Sequence, residues 1–136
     1  MDATIILCDA AEEINGKLYI LGGGWTHLLK PNQPTNVALA MMIRVPLDDA
    51  GKQHKIDVSL LREDGEPFRL GENPVRLEGA FEVGAPPGMK PERELIAPVA
   101  LQFLLALPPG DYVWQLRIDG SPVTTAPFWV QEVAPH

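Results

Sequence analysis

Residues Thr4 to Trp25, TIILCDAAEEINGKLYILGGGW, form two β-rich runs joined by Asn15-Gly16, and that dipeptide restricts the fold more than any other feature. A type I′ turn needs positive φ at both central residues, which Asn and Gly tolerate best, so Asn-Gly between apolar runs reads as a two-residue hairpin. Pairing outward from the turn sets Ile14 against Lys17, Glu12 against Tyr19, Ala10 against Leu21 and Ile6 against Trp25. Both faces of this ribbon are apolar. Ile6, Cys8, Ala10, Tyr19, Leu21 and Trp25 lie on one, and Ile5, Leu7, Ala11, Leu18 and Ile20 on the other. A sandwich has one core, so one of these faces needs a second partner.

The chain has 136 residues, the size of one domain, which we take to span 1–136. At 14.9 kDa it should expose about 7,000 Å² when folded and about 21,600 Å² when unfolded, enough burial for a core without staples. Hydrophobic residues make up 46% and charged residues 21%, the balance of a globular chain. The formal net charge is -7, and the 11 basic residues are scattered as singlets. Phosphate backbones and anionic membranes call for clustered Lys and Arg, so neither is an expected partner. One cysteine excludes an intrachain disulfide. The apolar run at residues 3–8 is short for a secretory signal, Asp2 precedes it, and the first basic residue is Lys17. No run reaches the roughly 18 apolar residues of a membrane helix. Cytoplasmic residence is the expectation.

Along the rest of the chain, glycine and proline punctuate short runs with period-2 alternation. Val37, Leu39, Met41, Ile43 and Val45 mark one strand, and Ile56, Val58 and Leu60 the next, ended by Glu63-Asp64-Gly65. Phe68 and Leu70 make a short continuation. Val75, Leu77, Gly79, Phe81 and Val83 then alternate against polar neighbours. A proline-rich loop, Gly84 to Arg93, leads to Val99, Leu101, Phe103, Leu105 and Leu107. Pro108-Pro109-Gly110-Asp111 turns the chain into Tyr112, Trp114, Leu116 and Ile118, Asp119-Gly120 makes another tight connection, and Thr125 to Val133 closes the fold. Eight or nine such strands predict an all-β fold, an antiparallel β-sandwich of immunoglobulin-like or related Greek-key type, with barrel closure the alternative.

Two resemblances bear on this. Leu107 to Val130, LPPGDYVWQLRIDGSPVTTAPFWV, resembles the last two strands of immunoglobulin-like and fibronectin-type-III-like sandwiches, where L-x-x-G-x-Y places a corner tyrosine. Tyr112 matches that position, and the resemblance implies that its hydroxyl bonds upstream backbone. The opening CDAAEEINGKLYILGGGW is similar to the N-terminal signature of a family of small uncharacterised bacterial proteins, and PPGDYVWQLRIDG and PFWV also fit. That resemblance implies a bacterial source and a compact domain, and transfers no site residues.

Chemical constellations are sparse. Gly22-Gly23-Gly24 is followed by Trp25 to Lys30 and then Pro31, too short a stretch for the helix of a phosphate loop, and reads instead as a bulge or close backbone approach opposite Cys8 and Asp9. His27, His54 and His136 are far apart and show no metal-ligand spacing, and His136 reads as a frayed end. The acidic stretches Asp48-Asp49 and Glu63-Asp64-Gly65-Glu66 are like calcium loops in composition, but turn chemistry accounts for them. Ser59 and Ser121 lie outside any nucleophile elbow, and Cys8 sits in an apolar strand, where a thiol is inert. Among the carboxylates, Asp9, Glu12 and Glu13 are the least expected, and Asp9 is the first acid to test.

The expected function is therefore a non-enzymatic binding or assembly module, with no metal, no cofactor and no catalytic residue, acting on a protein partner, itself included. Its interface residues are Ile6, Tyr19, Leu21 and Trp25 on the outward hairpin face, with Met89 in the stiff loop Gly84 to Met89. The alternative is a small-molecule or carbohydrate site near Gly22–His27, built from Asp9, Tyr19, Trp25 and His27.

Overall fold

The structure is a computed structural model that describes residues 1–133; His136 lies outside the described residues. Among the described residues there are eleven strands, eight of six or more residues and three of two residues each. They are β1 Asp2–Ile14, β2 Lys17–Gly23, β3 His27–Leu28, β4 Thr35–Pro46, β5 His54–Arg62, β6 Arg69–Leu70, β7 Asn73–Pro74, β8 Arg76–Phe81, β9 Glu94–Leu105, β10 Gly110–Ile118 and β11 Ser121–Val130. The order β2-β1-β4-β9 makes one sheet and β3-β11-β10-β5-β8 the other, with β6-β7 a small ribbon. Two open sheets face each other, so the fold is a β-sandwich and not a barrel. All long pairings are antiparallel; only the two-residue β3 runs parallel to β11. Among the described residues no helix is long and apolar enough to cross a membrane.

The alternating runs supply the core. Val37, Leu39, Met41, Ile43 and Val45 of β4 are buried against Ile56, Val58 and Leu60 of β5 and Tyr112, Trp114, Leu116 and Ile118 of β10. Successive side chains of a strand point to opposite faces, so every second residue must be apolar to build such a layer. Trp114 stacks between Phe103 and Phe128, with ring centroids 4.7 and 6.4 Å away. Leu77 and Gly79 of β8 share this inward face but remain exposed, because β8 is an edge strand.

Tyr112 forms the expected corner. Its hydroxyl donates to the Pro108 carbonyl at 2.7 Å, and its ring packs on Phe68 and Phe128. Burial raises its pKa. Tyr112→Phe leaves that carbonyl without its donor and is expected to lower stability by about 1–3 kcal/mol. An unchanged denaturation midpoint would contradict the corner bond.

The Asn-Gly hairpin is present in the expected register near its tip. Asn15 and Gly16 have φ of 51° and 77°, Ile14 pairs with Lys17, Glu12 with Tyr19 and Ala10 with Leu21. Glu13 accepts the Gly16 N–H at 2.8 Å, which gives this carboxylate a structural role in the turn. A β-carbon at Gly16 would meet no atom within 4 Å, so only backbone strain opposes a substitution. Gly16→Ala is expected to cost about 1 kcal/mol in a urea melt; a neutral or stabilising result would exclude the type I′ turn.

The base of the hairpin corrects the sequence expectation. Ile6 does not pair with Trp25. It pairs with Ala40 of β4, while β2 ends at Gly23. β1 changes partner halfway, meeting β4 from Asp2 to Cys8 and β2 from Cys8 to Ile14. Gly22, opposite Asp9, has φ of 61° and Gly24 has φ of 90°. Left-handed residues break the two-residue period, and side chains beyond them change face.

Candidate functional site

The change of face at Asp9 and Gly22 redistributes the apolar residues of the hairpin. Ala3, Ile5 and Leu7 join the main core. Cys8, Ala11, Ala38 and Ala40 are buried together on the far side of the same sheet, with Ile6, Leu18 and Ala100 packed against them. A β-carbon on Gly23 would touch Ile20, Ile6 and Cys8, which places residues from both sides of the kink on this one face. The alanines are small enough for the β1–β2 hairpin to curl over β4 toward β9. The two expected faces are thus mixed: Ile6 and Cys8 belong with Ala11 and Leu18 in a second, small core.

The residues displaced from both cores are at the tip. Leu21 is 71% exposed and Tyr19 is 55% exposed, and both lie on one face of β2 beside Ala10 and Glu12 of β1. Ile14 and Ile20 are also exposed. Tyr19 and Leu21, side by side on one face of β2 and open to water, make this face a candidate contact surface.

The other expected site residues are dispersed. Trp25 turns inward and is partly buried, its ring edge-on to Phe128 at 5.9 Å. Met89 is half-buried and lies in the loop between β8 and β9. Asp9 is exposed beside Gly22, where a β-carbon would run into its carboxylate. His27 stacks on Trp129 with centroids 5.0 Å apart and planes at 13°. Asp9, Tyr19, Trp25 and His27 therefore do not surround a common cavity among the described residues. A concavity of about 480 Å³ lies beside His27 instead, on the outer face of the five-stranded sheet, with Thr26, Asp111, Pro127 and Trp129 in its wall. Trp129 was not singled out from sequence, although PFWV places it one residue out of phase with the inward Phe128.

The candidate nucleophiles are engaged structurally. Burial, with the Asp9 charge adding to it, pushes the Cys8 thiol above its ordinary range, and its Sγ lies 3.5 Å from the Ala38 carbonyl. Ser59 donates to Asp57, which Arg76 holds in an ion pair. Asp64 accepts the Glu66 N–H at 2.9 Å, a turn bond of the kind the acidic loop composition requires.

Among the described residues His54 is the one polar or charged residue that is buried, and sequence reading passed over it. It opens the strand in phase with Ile56, Val58 and Leu60, a signal that could have been read. Nδ1 lies 2.8 Å from Asp119 Oδ2 and Nε2 lies 2.8 Å from the Asp49 carbonyl oxygen. Both partners are acceptors, so both ring nitrogens must donate, which only the imidazolium does. The Asp49 carbonyl and then Asp119 accordingly raise the His54 pKa. Asp119, at φ 51° in the β10–β11 turn, also accepts the Lys55 N–H at 2.9 Å. This cross-link ties the β4–β5 connection, β5 and the β10–β11 turn together, away from the hairpin tip.

No curated protein matches the chain. A family model described as a family of unknown function, DUF6941, matches residues 3–131. That match covers both sheets and the hairpin, and the chain belongs to this uncharacterised family.

Proposed function

We propose that the chain is a non-enzymatic binding or assembly module that acts through protein–protein contacts, self-association included, and that the tip of the β1–β2 hairpin is its contact surface. The observation that carries this reading is the placement of Tyr19 and Leu21, both more exposed than buried, side by side on a ribbon from which Ile5, Ile6, Leu7, Cys8, Ala11 and Leu18 have gone to the two cores. Aromatic and aliphatic side chains so placed gain most when a partner removes them from water. The engagement of Cys8, Ser59 and His54 in packing and cross-links favours binding over catalysis. We infer a bacterial source from the N-terminal resemblance and a cytoplasmic setting from the short apolar run at residues 3–8 and the spacing of charge along the chain, and we read the Tyr112 bond as support for an immunoglobulin-related architecture.

Light scattering at micromolar concentration tests the simplest case. A mass above the 14.9 kDa of one chain is expected; a monomer at every concentration would remove self-association and leave a different partner protein.

A second reading rests on the His27–Trp129 stack. A carbohydrate or other small molecule lying on the free face of Trp129, hydrogen-bonded by Asp111, would fit the concavity there. Binding of such a ligand would change tryptophan fluorescence in the native chain and leave it unchanged in Trp129→Ala.

A further inference from the structure

We propose that a second copy of this chain pairs with β9 edge to edge, antiparallel about a twofold axis at Ala100, so that the four-stranded sheets of two copies become one. The inference rests on the self-association reading and names the strand and register through which it would occur.

The sequence treats the four sheet edges differently. Free edges invite pairing, and proteins block them with short strands, bends, charges or proline. β3 has only 2 residues. β2 begins at Lys17 and bends at Gly22. β8 carries Arg76 and Glu78, and Arg76 is ion-paired with both Glu78 and Asp57. β9 has 12 residues, bonds β4 along its whole length, and among the described residues has no strand on its other side. No charged residue occurs from Leu95 to Gly110. Pro98 and, at the start of the strand, Glu94 are the protective devices on this edge. On the outer face of β9, Ile96 is 47% exposed and Leu104 is 67% exposed.

These features fit a second copy. With Ala100 on the axis, Ile96 lies opposite Leu104 of the other copy, twice by symmetry, and each exposed side chain covers the other. Glu94, the only charge in the strand, then falls opposite Ala106 and meets no like charge. Parallel pairing in register would instead stack Glu94 on Glu94. The chain carries a net charge of -7, so two copies meet with least repulsion along the uncharged stretch from Leu95 to Leu105. Leu18 of β2 and Ala100 of β9 share the second small core, so pairing at β9 brings both hairpins onto one face of the joined sheet.

Sedimentation equilibrium of the full chain, with circular dichroism as the check on folding, tests the proposal alongside cysteine cross-linking. Wild type is expected at twice the 14.9 kDa chain mass. Ile96→Lys with Leu104→Lys is expected to halve that mass without unfolding, since both side chains face solvent in the single chain. Ala100→Cys is expected to give a covalent dimer under mild oxidation, where wild type, whose Cys8 is buried, gives none. Should the lysine variant unfold, the Ala100→Cys result decides. A dimer that survives the two lysines, fails to cross-link at position 100 and dissociates on Tyr19→Glu with Leu21→Glu would overturn β9 pairing and keep the hairpin reading. Cross-linking at position 100 in a dimer indifferent to those hairpin changes would keep β9 and overturn the hairpin. A monomeric wild type overturns both.

Discussion

His54→Ala is expected to lower stability by about 2–4 kcal/mol at about pH 5.5, through loss of two charge-assisted hydrogen bonds and the space left in the core. The cost should shrink as pH rises. The folded-state pKa of His54 lies above its ordinary value of 6.5, held there first by the Asp49 carbonyl and then by Asp119. Folding therefore takes up a proton, and the stabilisation is complete below 6.5 and lost as pH climbs through the raised native value. Asp119, lowered by the same pair, contributes above its ordinary 3.8 and loses that contribution as pH falls through its folded value. Urea melts at about pH 5.5 and about pH 8.5 would show wild type and His54→Ala converging at the higher pH. A gap that is constant or widens with pH would contradict an imidazolium at this position.

Gly22→Val is expected to destabilise the fold by about 2–4 kcal/mol, because a β-branched residue is strained at positive φ and its side chain would collide with Asp9. Asp9→Ala in the same chain should restore the part due to collision and leave the part due to backbone strain. Unchanged midpoints for Gly22→Val would mean that the strand continues without the kink, and the assignment of residues to the two cores would fail with it.

Much of the fold is legible in the sequence where a strand has one buried face. Alternation then has one cause, and β4, β5 and β10 bury the residues their period selects. The type I′ turn is equally legible, since Asn-Gly has few other stable conformations. The hairpin faces are less so. Alternation counts residues and cannot register that Gly22 adopts a left-handed conformation, which shifts every face assignment beyond it by one. Gly22-Gly23-Gly24 does mark the place of that bend, and the chain reading put a bulge there. Pro98 shows the opposite difficulty. The alternating run reads from Val99, yet β9 begins at Glu94 and takes in Pro98, because an edge strand needs donors on one side only. His54 was hidden by chemistry, since histidine in phase with Ile56 and Val58 shows its role only when Asp119, far along the chain, is brought to it.

Of the candidate site, Tyr19 and Leu21 stand at the surface where the outward face was expected, while Trp25 and Ile6 supply packing beneath. An interface is a property of what a side chain lacks after folding, and one sequence records only what it carries. That is why the two exposed residues could be named and the two partly buried ones could not be separated from them.

Sedimentation equilibrium of wild type beside Tyr19→Glu with Leu21→Glu tests the binding reading most directly, because both side chains face solvent in the single chain and their replacement should leave its fold intact. We expect wild type above the 14.9 kDa chain mass and the double variant at that mass, with the same circular dichroism and the same melting midpoint. Wild type that sediments as one chain, or a double variant that unfolds instead of dissociating, would contradict a hairpin tip exposed for self-association.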